Sequence, residues 1–236
     1  MSITISIKKQ GKEEEVVIPV EWKDMTIKYF GQLATIIQSH HTEAEKALDD
    51  SQKEEKNELL MDGSEILTQK TELNDMQLLS MNQDIFAYIT GLTREEVKFV
   101  ENEKIAQVLG AMNIVSEEYK YKGDRSFVFE GEEYFFPSEF FKRETFGDYI
   151  ESTQLDMYIK DMKNGRFDVL PEQMAILCRK KDEVYHEAEI PDKAKKFSEI
   201  TMDIAWEFAF FLTNQSVKLQ KLFPTSFQIN QEEQEL

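Results

Sequence analysis

Apolar residues alternate with polar ones at the start of the chain. Ile3, Ile5 and Ile7 lead out to Gly11, and Val16, Ile18 and Val20 lead back, with Lys9-Gln10-Gly11-Lys12 between the two runs. Period-two alternation around a glycine turn predicts a β-hairpin with one buried face. The spacing changes after Thr26, where Ile27, Phe30, Leu33, Ala34 and Ile37 recur at helical intervals behind a capping threonine. This predicts an amphipathic helix closing over the hairpin.

From Glu43 to Asp62 there are eight acids and three lysines with few apolar residues. Such a segment cannot bury much by itself and reads as a solvated loop or an exposed helical hairpin. Helical spacing returns at Asn74-Asp75, where Leu78, Met81, Ile85, Phe86 and Ile89 share a face and Gly91 stands where a left-handed C-terminal cap belongs. Thr93-Arg94-Glu95-Glu96 is a capping box with Leu92 and Val97 at the staple positions, and a further helix from about Asn102 turns Ile105, Val108, Leu109 and Met112 inward.

A second hairpin follows from Phe127 to Phe136 through a tight Glu130-Gly131 turn, and Tyr119 and Tyr121 offer an extension of its first strand. Thr145 and Asp148 then resemble the helix start at Thr26. Asn164-Gly165 ends or interrupts that helix, and Leu170-Pro171-Glu172 predicts another helix start, with Met174, Leu177 and Cys178 on its face. After Ile190-Pro191 the longest helical pattern runs from about Phe197 to Phe223, about 40 Å if continuous. Ile200, Ile204, Phe208, Phe211, Leu219 and Leu222 lie along one face, and Met202, Trp206 and Phe210 fall on another. A helix apolar on two sides is buried on both, within the fold or against another chain. Pro224 stops it, and Gln228 to Leu236 reads as a polar tail.

The two halves therefore begin alike. Pro19 matches Pro137, Glu21 matches Glu139, Trp22 matches Phe140, Thr26 matches Thr145 and Phe30 matches Tyr149 after one inserted residue. The expected fold class is α+β, mainly α-helical with two β-hairpins, the repeat reading as internal duplication of a hairpin-plus-helices unit. Two lobes follow from it: residues 1–117, with the acidic insertion at 43–62, and residues 118–236, with the long C-terminal helix.

Charge narrows the partners. With 46 acids against 28 bases the formal net charge is −18, which disfavours nucleic acid and anionic membrane, both of which reward Lys and Arg. Cys178 is the single cysteine, so no internal disulfide forms, and a buried, inert thiol in a reducing compartment is expected. The N-terminus lacks a basic region followed by an apolar core, and the most apolar later stretch, Ile204 to Leu212, is interrupted by Glu207 and far short of the roughly 20 residues of a membrane span.

Chemical motifs add little. His40, His41 and His186 have no companions at metal spacing and read as solvated surface histidines. Carboxylate pairs are too common in so acidic a chain for their spacing to mark a catalytic pair. Basic clusters at Lys142-Arg143, at Arg179-Lys180-Lys181 and at Lys193, Lys195 and Lys196 lack interleaved aromatics, and so read as solvated helix faces that could orient an acidic neighbour. Neither catalytic residues, metal ligands nor a cofactor are expected, and the chain is read as a non-enzyme.

Several segments resemble a group of structural-module proteins of tailed bacteriophages, including those of crAss-like phages: Ile18-Pro19 with Thr26 to Phe30, Ile89 to Val97, Thr145 to Glu151, Leu170 to Leu177, and Phe208 to Leu212. The resemblance implies a virion protein made in the bacterial host cytoplasm, a tail or head-tail ring or connector component that packs against copies of itself and other phage structural proteins. A tail assembly chaperone or a packaged cargo protein is the alternative. It supplies no ligand-binding residues. Trp206, Phe210 and Phe211 are the expected protein-contact residues, because a helix apolar on two sides offers burial beyond one core.

Overall fold

The computed structural model describes residues 2–9, 11–55, 73–116, 119–138 and 166–222. Among these residues two antiparallel sheets and a majority of helix make the fold α+β and mainly α-helical. The chain divides into two compact units: Met1–Glu21 with Gly31–Ser116, and Trp22–Phe30 with Glu117–Leu236. The short segment Trp22–Phe30, expected in the first lobe, belongs to the second unit.

In the first unit, β1 (Ile3–Lys9) and β2 (Lys12–Ile18) form the expected hairpin, with Ile3 opposite Ile18 and Lys9 opposite Lys12. Gly11 takes φ +81°, a conformation that a side chain resists. Ile5, Ile7 and Ile18 fall on one face by the period of two and are buried. Helix α1 (Ile27–Glu55) continues well into the acidic segment, so residues 43–55 are helical rather than a loop, and 56–62 lie outside the described residues. Helix α2 (Asp75–Thr90) starts at a capping box in which Asn74 and Gln77 satisfy each other's backbone donors, and it ends at Gly91 with φ +68°. Helix α3 (Arg94–Val97) has the second capping box, between Thr93 and Glu96. Helix α4 (Asn102–Ala111) buries Val108, and Met112 is buried just beyond it. With Leu33, Phe86, Ile89, Leu92 and Val97 these residues make the unit's core.

The second unit holds a three-stranded sheet, β3 (Ser126–Phe129), β4 (Glu132–Phe135) and β5 (Arg179–Lys180), in that order and antiparallel throughout. Glu130 and Gly131 both have positive φ, +51° and +80°, the geometry of a two-residue hairpin turn whose twist matches its strands. Tyr119 and Tyr121 do not lengthen β3: residues 119–125 form no strand. β5 corrects the reading of Arg179 and Lys180 as a helix face. The pairing of β4 with Arg179 and Lys180 brings Lys180 to Glu132 (3.6 Å) and the Arg179 guanidinium over Tyr185, so the basic pair is fixed by the sheet's edge.

Helix α5 (Arg166–Leu177) contains Pro171 in its interior, so the helix does not start at Leu170-Pro171. Val169, Leu170, Met174, Ala175 and Leu177 are buried, as is Cys178 just beyond. Helix α6 (Ile190–Phe197) begins with Pro191 in its first turn. The pattern expected as one helix from Phe197 is broken, and α7 runs from Met202 to Leu222. The break has a tertiary cause. Thr201 bridges antiparallel to Thr26; Ile27 N–H donates to Ile200 O (2.8 Å), Lys28 N–H to Ser198 O (2.9 Å), and Met202 N–H to Met25 O (2.7 Å). The first amides of α1, which have no partner inside their own helix, thereby take the carbonyls that would otherwise continue α6 into α7. The helix expected after Thr145, and the tail after Phe223, lie outside the described residues.

Candidate protein-contact surfaces

Glu207 organises one face of the second unit. It is 3% exposed on α7, and its carboxylate accepts from the Tyr119 hydroxyl (2.9 Å) and from the N–H groups of Lys122 (2.7 Å), Gly123 (3.0 Å) and Asp124 (3.1 Å). Successive amides converging on one anion form a nest, here with Gly123 at φ +87°. Burial, then the bond to Glu207, raises the Tyr119 phenol above its ordinary range, so it stays a donor. The anchored loop sets Tyr119 and Tyr121 against Phe210, at 6.3 and 5.9 Å between ring centroids.

The three expected contact residues are spread across this region. Trp206 is half-buried among Trp22 (5.8 Å), Phe30 (6.3 Å), Phe167 (6.0 Å) and Phe210 (6.3 Å), and its indole N–H finds no acceptor among the described residues. Phe210 is half-buried under the two tyrosines. Phe211 is 1% exposed, covered by the Arg125 guanidinium 4.8 Å from its ring and by Phe136. Its apolar surface is taken up within its own unit, because α7 is buried on more than one side.

In the first unit a polar cluster ties α1 to α2, and α2 to the first residue of α3. His40 Nε2 lies 2.8 Å from Asp84 Oδ2, and Arg94 donates to both Asp84 oxygens. His40 is only 8% exposed, which overturns its reading as a solvated histidine; His41 is partly exposed and His186 exposed. The bonds from Arg94, opposed by burial and helped by His40, hold the Asp84 carboxyl below the usual carboxylate range. With both oxygens engaged, the group is an electrostatic clamp.

The first unit also has an open groove of about 450 Å³. Ser6, Ile7, Lys8, Gly11 and Glu13 of the hairpin line one side, and Glu96, Phe99, Val100, Glu101 and Lys104 the other. Phe99 is 88% exposed, yet its backbone is fixed: Phe99 N–H donates to Glu96 O and Val100 N–H to Val97 O, at 3.1 and 3.0 Å. A large exposed aromatic held on a hydrogen-bonded turn at the rim of a groove is a candidate contact residue. Periodicity could not find Phe99, because it belongs to no repeating face; its one sequence signal is an aromatic between the capped turn at Thr93 and the helix at Asn102. Glu207 had a clearer signal, as the lone acid in an apolar run.

Among the described residues no helix is long and apolar enough to cross a membrane. No family model, curated protein or solved structure matches the chain.

Proposed function

We propose that the chain is a non-enzymatic structural or assembly component of a tailed phage particle, a ring or connector protein of the tail or head-tail junction that works by packing against copies of itself and other virion proteins. The phage assignment rests on the sequence resemblance at Ile18–Phe30, Ile89–Val97, Leu170–Leu177 and Phe208–Leu212. The observation that carries the contact role is the set of large apolar side chains left in solvent on ordered elements. Met76 and Leu79 on α2, Phe99 before α4, Val17 on β2 and Val128 on β3 are all more than half exposed. Four of them belong to the first unit and Val128 to the second, and Phe99 borders the groove, where an exposed apolar side chain favours a protein contact.

The test is a pair of measurements. Mass spectrometry of purified particles is expected to find the protein, and light scattering of the full chain to give a defined multiple of the 27.7 kDa monomer. Absence from particles together with a monomer at every concentration would sink this reading. The open groove beside β1 favours a second reading, a tail assembly chaperone that holds an extended polypeptide and leaves before the particle is complete. Absence from particles with retained polypeptide binding selects it.

A further inference from the structure

We infer that the groove between β1 and the Phe99 turn receives an extended, basic segment of a partner protein, which adds as a strand along the free edge of β1. This rests on the reading of the chain as a protein-contact module and names the surface and the chemistry it recognises. The two-stranded sheet has an outer edge on each strand, and among the described residues no other strand pairs with it. A strand with an open edge is a template for another extended chain. The edges differ in protection. β2 runs Lys12-Glu13-Glu14-Glu15, all exposed, a charge density that repels pairing, whereas Thr4 and Ser6 of β1 are short, exposed and uncharged.

On the hairpin side three consecutive β1 residues, Ser6, Ile7 and Lys8, line the groove, which Gly11 of the turn and Glu13 of β2 close at one end. Across from them Phe99 and Val100 offer apolar contact to alternate side chains of an incoming strand. Charge selects the occupant. Three glutamates face two lysines on the groove walls, and of the charged residues beside them in the chain Glu14, Glu15, Glu95 and Glu103 outnumber Lys9, Lys12 and Lys98, the last paired with Glu95, on a chain of net charge −18. Lys104 and Glu101 are drawn together (3.7 Å) and offset each other, which leaves Glu13 and Glu96 against Lys8. A lysine-bearing strand gains opposite charge on approach and an acidic one meets repulsion. The same excess of acid opposes a second copy as occupant.

The probe is a short peptide alternating valine and lysine, with its valine–glutamate twin as control, each titrated into the full-length chain. Expected results are binding of the lysine peptide alone, weakening as salt is raised, with slowed amide exchange over residues 3–9. Phe99→Ser, at a solvent-exposed position that leaves the core intact, is expected to weaken binding roughly tenfold or more. Equal binding of the glutamate peptide, binding without protection of β1, an unchanged Phe99→Ser affinity, or protection of β1 by self-association alone would each overturn the proposal. A protein found in particles as a defined oligomer that ignores the lysine peptide loses the groove but keeps the structural role. One that binds the peptide but is missing from particles keeps the groove and loses the ring.

Discussion

Glu207 and Asp84 are both acids whose neighbours are all donors. A carboxylate only accepts, so replacing Glu207 by Gln keeps one accepting oxygen and turns an NH₂ either toward Lys122 N–H or toward the N–H groups of Gly123 and Asp124. The expected cost is roughly 2–3 kcal/mol of stability, read by denaturant unfolding, with loosening of the tyrosines on Phe210 visible in near-ultraviolet circular dichroism. Asp84 contributes through pH as well. Its folded pKa is held below the unfolded value of about 3.9, so its contribution is present above about pH 4 and is lost as pH falls through the folded value. Asp84→Asn is expected to remove that part of the acid transition. Tyr88 acts at the other end. Its hydroxyl donates to Gln32 (2.8 Å), and burial pushes it up to about 12 against about 10 when unfolded. A raised folded pKa gives stability that is complete below pH 10 and lost between about 10 and 12, a loss that Tyr88→Phe should abolish in alkaline titrations. Cys178, fully buried and with its thiol pushed up by that burial, should resist alkylation until the chain is unfolded.

At the scale of elements, stability rests on end groups. Thr93→Ala removes one half of the box that starts α3 and should cost about 1 kcal/mol, read as a lower unfolding midpoint. Gly91→Ala forces a side chain into the left-handed region and sets a Cβ 3.1 Å from Lys9 Nζ, an expected loss of similar size. Such features were legible in the sequence because caps and two-residue turns are written in adjacent residues: Asn74, Gly91, Thr93 and Gly131 all stand where local chemistry puts them. The break between α6 and α7 was not legible, since its cause, Thr26, lies far away in the chain. β5 is a two-residue strand in a basic run with no alternation to betray it, and Pro171 lies inside a helix that started earlier. His40 carries no local mark of burial, because Asp84, itself held by Arg94, reaches it from another element. The surroundings of α7 are half legible: the spacing makes the helix apolar on two sides, but which side chains stay open depends on loop 119–125, which Glu207 holds.

For the whole molecule the dominant quantity is charge. At −18, copies of the chain repel one another through solvent, and salt screens that repulsion within about 10 Å at 0.1 M. Self-association is therefore expected to strengthen as salt rises, whereas capture of a basic strand weakens. Sedimentation and peptide titration across the same salt series separate the two, and an oligomer that dissociates on adding salt would show that attraction between opposite charges holds the copies together.

The bridge between Thr26 and Thr201 also sets a clock. Lys28 and its ion-pair partner Glu199 are 171 positions apart, so at ribosomal speeds of about 5–20 residues per second, Trp22–Phe30 waits on the order of ten to thirty seconds for its partners. During that interval Met25, Ile27 and Phe30, all buried in the finished unit, are synthesised but uncovered. The nascent chain thus presents an apolar segment until Ser198, Ile200 and Met202 have been made, a window in which the cell's chaperones, or a sister chain on the same message, can reach it first.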